Sequence, residues 1–285
     1  MTPTSPIQVI RSAKTRSEPL AMISLYDAPT AMLCCDAGAD CLLVGDSLGN
    51  VILGYEDFLS VTMEDLLRHT AAVARGAKKS SRPQVPVIAD LPFGSYTSVD
   101  RATRNGAALM RVGAHGIKLE GAGPGALGAM RALIEMGAPV IGHLGFTPQS
   151  ALNFSGVVQG KTSEAADRLL REARSLEEAG CFGLVLEAVP QEVARRVTEV
   201  LSIPTIGIGA GAGCDGQVLV WHDLAGMTTG APLRFVKRYA EAYTLLKKAA
   251  QDFVGEVHSG AFPTEDHGWS MVGSELEEWG AKDEG

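Results

Sequence analysis

Seven side chains able to do chemistry stand at the ends of short apolar runs in the sequence. Side chains of these types can bind a cation, hold an anion or transfer a proton. A buried charge costs several kcal/mol unless it is paired, so stability alone does not explain so many. We interpret them as one candidate site, and the pairs Tyr26–Asp27 and His222–Asp223 stand at similar positions. The seven are Asp46, Ser47, Asp90, Lys118, Glu120, His143 and Glu187.

Three of these residues, Asp46, Asp90 and Glu120, are carboxylates that end successive apolar runs. Ligand sets made of oxygen atoms suit a hard cation, and Mg²⁺ above all. Thiols and imidazoles lie elsewhere in the pattern, which disfavours zinc. The pattern therefore predicts a magnesium site. The alternative for any single acid is a structural role, in which it pairs with a backbone amide or with Lys118.

Lys118 precedes Glu120 by two positions, so the two side chains point the same way on a strand. A lysine beside carboxylates can bind a substrate carboxylate or stabilise an enolate as it forms. The alternative is charge balance for the acids. Schiff-base chemistry is disfavoured, because neighbouring acids keep the pKa of a lysine high and leave it a poor nucleophile.

Glu187 and His143 are the remaining candidates for proton transfer and binding. Glu187 ends the apolar run FGLVLE, where burial would raise its pKa and make it a good general base. A helix cap is the alternative for this residue. His143, in GHLG, is either a hydrogen-bond donor to the substrate or a core histidine with its partners inside the protein. The sequence does not separate these two roles.

Eight near-continuous apolar runs account for the placement of these residues. Such runs are typical of strands buried on both faces of a parallel sheet. Segments of helical pattern separate them, one beginning at a predicted N-cap, Ser98. The order predicts an α/β fold, a (β/α)8 TIM barrel, which brings the carboxyl ends of its strands to one rim. The runs span 21–27, 41–47, 85–93, 116–121, 139–145, 182–188, 204–211 and 217–223.

The seventh and eighth runs lie too close together for a full helix between them. Either that helix is reduced to a turn or the eighth strand is misplaced, and a doubly wound open sheet is the alternative fold. We predict one barrel domain over 1–263, with an N-terminal helix and a C-terminal helix near 234–257, and an acidic tail over 264–285. Two long loops, 48–62 and 146–161, are candidate lids.

Composition narrows the partners of the chain. Its 285 residues carry a net charge of -8 without a basic patch, which argues against a nucleic-acid partner. No uninterrupted apolar stretch of about 18 residues is present, so we expect no membrane span. The first twenty residues lack the pattern of a signal peptide. Five cysteines without a C-x-x-C pair indicate buried, reduced thiols in a cytoplasmic protein.

Eight motifs, taken in order from about residue 23 to residue 267, resemble the ketopantoate hydroxymethyltransferase family. No single motif is decisive, but their joint order and spacing are specific. The resemblance implies a barrel of the phosphoenolpyruvate/pyruvate type. It also implies transfer of a hydroxymethyl group from 5,10-methylenetetrahydrofolate to 3-methyl-2-oxobutanoate, giving 2-dehydropantoate for pantothenate and coenzyme A synthesis. The motifs are YDAPTA, LVGDSLGNVILG, HTAAVARG, ADLPFGSY, KLEG, GHLGFTPQS, LVLEAVP and IPTIGIGAG.

The resemblance also assigns roles to residues of this chain. The family's metal ligands correspond to Asp46, Asp90 and Glu120, and its proton acceptor corresponds to Glu187. Its substrate contacts correspond to Asp46, Ser47, Asp90 and Lys118. On this basis we expect a Mg²⁺-stabilised enolate that attacks the folate methylene carbon. The resemblance further implies a homodecamer of two pentameric rings.

Two other functions remain open at this point. A Mg²⁺-dependent lyase or mutase acting on an oxoacid would use the same acids without folate. Such relatives often carry a catalytic cysteine in a mobile loop, and loops 48–62 and 146–161 contain none. A non-catalytic barrel would tolerate loss of the strand-end acids, whereas this chain keeps the whole set.

Overall fold

Eight short apolar segments form the strands of the structure, a computed structural model that describes residues 5–16 and 18–280. Every strand pairs in parallel with its neighbours in the chain, and the last strand pairs with the first, so the sheet closes into a barrel. The strands are β1 (Leu20–Ser24), β2 (Cys41–Val44), β3 (Val87–Asp90), β4 (Gly116–Glu120), β5 (Val140–Gly145), β6 (Gly183–Glu187), β7 (Thr205–Ile208) and β8 (Gly216–Val220).

The predicted barrel is confirmed, and each of the eight apolar runs overlaps one strand. The eighth strand is correctly placed, because residues 209–215 link β7 to β8 by a tight turn instead of a helix. Gly209 and Gly211 have φ angles of 64° and 77° in this turn, a backbone conformation that glycine adopts without steric cost. The closed sheet rules out the doubly wound alternative.

Helices between the strands cover the outside of the barrel. Thr62, Ser98 and Thr162 each accept a hydrogen bond from a backbone N–H of the first turn that follows, so the predicted N-cap at Ser98 is confirmed. The helices up to residue 239 are α1 (Gln8–Arg11), α2 (Ala28–Asp36), α3 (Leu48–Val51), α4 (Met63–Lys79), α5 (Val99–Arg111), α6 (Pro124–Glu135), α7 (Ser163–Glu178), α8 (Gln191–Val200) and α9 (Trp221–Leu224). Short 3₁₀ helices span Ala13–Thr15 and Pro148–Asn153.

The lower layer of the barrel interior, at the amino ends of the strands, is apolar. Ile88 of β3 and Ile141 of β5 belong to one buried cluster with Ile7 and Ile10 of the N-terminal segment. A Cβ atom added to Gly116 of β4 would lie 3.4 Å from Ile7, so the N-terminal segment packs against the start of that strand. This end of the barrel is therefore closed by aliphatic side chains.

The chain divides into two compact units, residues 1–239 (unit 1, the barrel) and 240–285 (unit 2). Unit 2 contains α10 (Ala242–Ser259), a 3₁₀ turn at Glu265–His267 and α11 (Gly273–Gly280). Within α10 no side chain is buried. The C-terminal helix expected near 234–257 begins later than predicted and lies outside the barrel unit, so the predicted boundary after residue 263 falls inside unit 2.

Among the described residues, no helix combines the length and the apolar character needed to cross a bilayer.

Candidate active site

The upper layer of the barrel interior, at the carboxyl ends of the strands, is polar. Inward side chains recur every second residue, so Asp90 follows Ile88 on β3 and His143 follows Ile141 on β5. They surround a cavity of about 270 Å³. All seven residues singled out in the sequence line this cavity: Asp46, Ser47, Asp90, Lys118, Glu120, His143 and Glu187.

Asp46 and Ser47 enter the cavity from the turn after β2. Gly45 makes this turn possible, because a Cβ there would lie 3.0 Å from Ser47 Oγ and 3.5 Å from Asp90 Oδ2. The backbone N–H of Asp46 donates to Asp90 Oδ2 at 3.1 Å. The Ser47 hydroxyl lies 2.6 Å from the hydroxyl of Tyr26, which is fully buried. Both polar groups are therefore held in place by hydrogen bonds.

Lys118 is a buried cation at the centre of the site. The register of β3 and β4 sets it beside Asp90, and its Nζ donates to Asp90 Oδ2 at 3.0 Å. Burial disfavours the charged amine, but the negative charges of Asp90 and Glu120 outweigh burial and raise the pKa of Lys118. The ammonium form is therefore kept at neutral pH, as the sequence suggested, which suits charge stabilisation and not Schiff-base formation.

The three carboxylates carry more negative charge than their surroundings balance. Burial, followed by the charges of Asp90 and Glu120, raises the pKa of Asp46 to about 8. Burial also raises the pKa of Asp90, although Lys118 opposes this shift. Glu120 behaves differently, since contact with His143 and the charge of Lys118 outweigh burial and lower its pKa. The site thus favours an additional positive charge.

His143 lies between two carboxylates. Its Nδ1 is 3.3 Å from Glu120 Oε1 and its Nε2 is 3.3 Å from Glu187 Oε2. Burial and the charge of Lys118 disfavour the imidazolium, but the contacts with Glu120 and Glu187 outweigh them and raise the pKa of His143 to about 9. Glu187 therefore has a partner in His143, although only apolar residues precede it in its run. Its side chain is 19% exposed, the most open of this group.

Gln149 is a site residue that the sequence did not single out. Its side-chain Nε2 donates to Asp46 Oδ2 at 2.8 Å, and its backbone N–H donates to Glu120 Oε2 at 3.0 Å. It lies in the 3₁₀ helix of loop 146–161, 103 residues from Asp46 along the chain. The only sequence signal was its place in the motif GHLGFTPQS, which gave no role to the amide.

The oxygen atoms of the site have the chemistry of ligands for a divalent cation. In the part of the chain that the structure describes, no group of three or more His, Cys, Asp or Glu side chains is already arranged as a metal site. However, buried Asp90 Oδ1 has no hydrogen-bond partner among these residues, and Glu120 Oε1 has only its 3.3 Å contact with His143 Nδ1. Free carboxylate oxygens beside Asp46, with its raised pKa, have the donor chemistry of a hard cation site. The residues fit a cation such as Mg²⁺.

The remaining strand-end pairs have mixed roles. Asp27 caps α2 by accepting from the backbone N–H of Thr30, which is a structural role. His222 stacks on the ring of Tyr26 at a centroid distance of 5.7 Å. Asp223 lines the cavity. All seven candidates thus line the cavity, whereas of these two pairs only Asp223 does.

Apolar side chains also line the cavity. Val51 and Phe58 come from loop 48–62, Pro148 from loop 146–161, and Leu233 and Phe235 from the segment after α9. Both predicted lids therefore border the cavity. Whether they move remains a prediction.

Comparison with known proteins identifies relatives along most of the chain. The family model described as ketopantoate hydroxymethyltransferase matches residues 5–265. A 3-methyl-2-oxobutanoate hydroxymethyltransferase of Thermotoga maritima is 51% identical over 255 residues, covering 89% of this chain and 92% of the relative. The enzyme of that name from Syntrophus aciditrophicus is 49% identical over 262 residues, covering 91% and 94%.

The fold has solved counterparts of low sequence identity. The structure of 2,3-dimethylmalate lyase, a member of the PEP mutase/isocitrate lyase superfamily, matches with a TM-score of 0.59. The two share 17% identity, and the match covers 100% of this chain and 97% of the lyase. This similarity supports the predicted type of barrel and nothing about chemistry.

Proposed function

The chain belongs to the ketopantoate hydroxymethyltransferase family, and we propose that it transfers a hydroxymethyl group from 5,10-methylenetetrahydrofolate to 3-methyl-2-oxobutanoate. The relatives from T. maritima and S. aciditrophicus are named for the same oxoacid. The product would be 2-dehydropantoate, within pantothenate and coenzyme A synthesis. The observation that carries the proposal is the cavity itself, which joins acids, a buried cation and an accessible carboxylate in a chain of this family.

Asp46, Asp90 and Glu120 would hold a Mg²⁺ ion. Support comes from their burial around one cavity, from the oxygens of Asp90 and Glu120 that make no hydrogen bond within the described residues, and from the raised pKa of Asp46. When bound, the ion supplies Lewis-acid polarisation of the keto group, which acidifies the hydrogen on C3 of the oxoacid.

Glu187 is the proposed proton acceptor. It lies at the end of β6, lines the cavity and is more open than the other acids of the site. It would take the C3 proton as the enolate forms. His143, whose Nε2 lies 3.3 Å from Glu187 Oε2, would hold that carboxylate in position.

Lys118 and Ser47 would bind the oxoacid. The ammonium group of Lys118 would stabilise negative charge on the enolate oxygen, and the Ser47 hydroxyl, held by Tyr26, would bind the substrate carboxylate. The C3 carbon then forms a bond to the methylene carbon of the folate. The first of the two bonds from that carbon to folate nitrogens breaks as the C–C bond forms. Water then supplies the hydroxyl group as the second C–N bond breaks. One nitrogen takes the proton that Glu187 removed and the other takes a proton from water, which leaves tetrahydrofolate.

Proton NMR of 3-methyl-2-oxobutanoate in D₂O tests the proposal. We expect the C3 hydrogen to exchange in the presence of protein and Mg²⁺, and 2-dehydropantoate to form only when methylenetetrahydrofolate is added. Exchange without product would contradict the folate step and favour a lyase or mutase that uses another electrophile. An unchanged substrate in both mixtures would refute the site assignment for this oxoacid.

We also propose an oligomeric state and a cellular location for the protein. A homodecamer of two pentameric rings would have a mass of about 300 kDa, since one chain has 29.9 kDa. Light scattering of the purified protein would measure this mass, and a value near that of one or two chains would refute the assembly. A cytoplasmic location is supported by the five cysteines, all of which are free and buried.

A further inference from the structure

Gln149 joins four separate parts of the site. Its Nε2 donates to Asp46 Oδ2 at 2.8 Å and to the carbonyl oxygen of Leu91 at 2.9 Å. Its Oε1 accepts from the hydroxyl of Tyr96 at 2.7 Å, and its backbone N–H donates to Glu120 Oε2. The residue is 6% exposed, so these bonds are shielded from water.

The orientation of the Gln149 amide follows from this network. If the amide were turned over, its oxygen would face the Leu91 carbonyl and Asp46 Oδ2, and with Asp46 ionised three acceptors would meet without a proton. The observed orientation satisfies both hydrogens of the amide nitrogen, and the hydroxyl of Tyr96 satisfies the oxygen. The side chain is therefore held in one position from both ends.

Gln149 donates a hydrogen bond to one of the two oxygens of each of two carboxylates. On Asp46 it engages Oδ2, and among the described residues no hydrogen bond reaches Oδ1. On Glu120 it engages Oε2, while Oε1 makes no hydrogen bond within that part of the chain and lies 3.3 Å from His143 Nδ1. Gln149 thus fixes one oxygen of each acid and makes no bond to the other.

We propose that Gln149 is a positioning residue for the cation: it fixes one oxygen of Asp46 and one of Glu120, so that the other oxygen of each remains for Mg²⁺. This inference rests on the magnesium site of the proposed function. It adds a role for loop 146–161, which supplies both donors. Partners of metal-binding carboxylates typically change metal affinity by about 10–100-fold when they are replaced.

The neutral charge of Gln149 matters to this role. A lysine or arginine at the same place would also donate to the carboxylates, but it would cancel negative charge that attracts the cation. Lys118 already engages Asp90 in this way. The side-chain amide donates to Asp46 Oδ2, the backbone N–H donates to Glu120 Oε2, and neither donor adds positive charge to the site.

The affinity for Mn²⁺, measured by electron paramagnetic resonance on the full chain, tests the inference without requiring activity. Gln149→Met keeps the volume and the backbone N–H but removes the donor to Asp46. We expect its dissociation constant for Mn²⁺ to rise by about 10-fold or more. Gln159→Met is the matched control, because Gln159 lies in the same loop and bonds the carbonyls of Gly156 and Val157. It should leave the affinity unchanged.

Tyr96→Phe is the second variant, and it keeps the inference testable if Gln149→Met does not fold. It removes the bond that holds the Gln149 oxygen while leaving both donors to the carboxylates. A smaller rise in the dissociation constant, of about 2–5-fold, is expected, since each lost hydrogen bond contributes about 0.5–1 kcal/mol.

Two outcomes would overturn the inference in different ways. If Gln149→Met, or Tyr96→Phe in its place, binds Mn²⁺ as tightly as the unsubstituted protein, Gln149 does not position the ligands, whereas the proposed function stands. If the unsubstituted protein fails to bind Mn²⁺, the magnesium site itself is refuted, and this inference fails with it. A purely structural role would lower the melting temperature of Gln149→Met without changing its affinity for Mn²⁺.

Discussion

The two layers of the barrel interior differ completely in character, although the same strands build both. On β3 and β5 the lower layer carries Ile88 and Ile141, which are fully buried in an aliphatic cluster. Two residues further along, these strands carry Asp90 and His143. A spacing of two residues along each strand thus separates the packed core from the charged cavity.

This difference shows how the barrel separates stability from chemistry. The lower layer gains free energy by removing apolar area from water. The upper layer places acids around two cationic side chains, Lys118 and His143. Burial raises the pKa values of Asp46 and Asp90. Charge that is buried and incompletely balanced costs free energy, and a site that accepts this cost is typical of binding and catalysis.

The largest expected effect is in the upper layer. Replacing Glu187 with Gln should slow deuterium exchange at C3 of 3-methyl-2-oxobutanoate by about 10²–10⁴-fold, since an amide cannot take the proton. Proton NMR in D₂O measures the rate. The melting temperature should change little, because the side chain is partly exposed.

Glu192→Gln is the matched control for that change. Glu192 lies in the first turn of α8, outside the cavity. The variant should therefore catalyse exchange of the C3 hydrogen at the normal rate. Near-normal exchange by Glu187→Gln as well would show that Glu187 is not the base.

In the lower layer the expected effect falls on stability. Ile141→Ala should reduce the free energy of unfolding by about 2–5 kcal/mol, because Ile141 is fully buried and its loss leaves a cavity. Urea unfolding followed by circular dichroism measures this change, while the affinity for Mn²⁺ should be retained. Met136→Ala, at a position 43% exposed, should change stability by less than about 0.5 kcal/mol. A loss of cation binding without a loss of stability in Ile141→Ala would contradict the separation of the layers.

Adding a cation should act on the upper layer alone. Mg²⁺ at about 100 times its dissociation constant should raise the free energy of unfolding by about 2.7 kcal/mol through mass action. Thermal unfolding with Mg²⁺, compared with sodium chloride at equal ionic strength, measures the increase. Asp46→Asn should abolish it, because one charged ligand is removed. An equal increase in that variant would place the bound cation elsewhere.

The smallest effect concerns the titration of a lower-layer thiol. Burial raises the pKa of Cys41 well above its ordinary value of 9.0. The unfolded chain therefore loses this proton above about pH 9 while the folded chain keeps it, so stability is lost as pH rises from there. Cys41→Ala should reduce the decline between pH 9 and pH 10 by about 1 kcal/mol, measured by urea unfolding. An unchanged decline would mean that Cys41 ionises equally in both states.

Most of the fold could be predicted from residue patterns. Strands buried on both faces read as continuous apolar runs, and all eight runs proved to overlap strands. The ends of the elements were less accurate, because the runs continue through polar rim residues such as Asp46, which lies beyond the last residue of β2. The C-terminal helix was predicted to begin near residue 234, whereas α10 begins at Ala242. An apolar pattern alone does not mark the first residue of a helix.

The candidate site was predictable where a residue type and its place on a strand coincide. Asp90, Lys118 and Glu120 were found because parallel strands in a barrel carry their carboxyl ends to one rim. Gln149 was missed because it lies in a loop, where no periodicity fixes the direction of a side chain. The partner of Glu187 was missed as well, since contact with His143 depends on the register of neighbouring strands.

The sequence by itself thus determined the barrel, the rim on which the candidate residues meet and the family to which the chain belongs. These follow from local periodicity and motif order, which are properties of neighbouring residues. Only the tertiary structure decided which oxygens of the acids are engaged, how His143 divides its contacts and that Gln149 holds Asp46. Those features depend on distances of about 3 Å between residues as much as 103 positions apart, and such distances are set by the closure of the sheet.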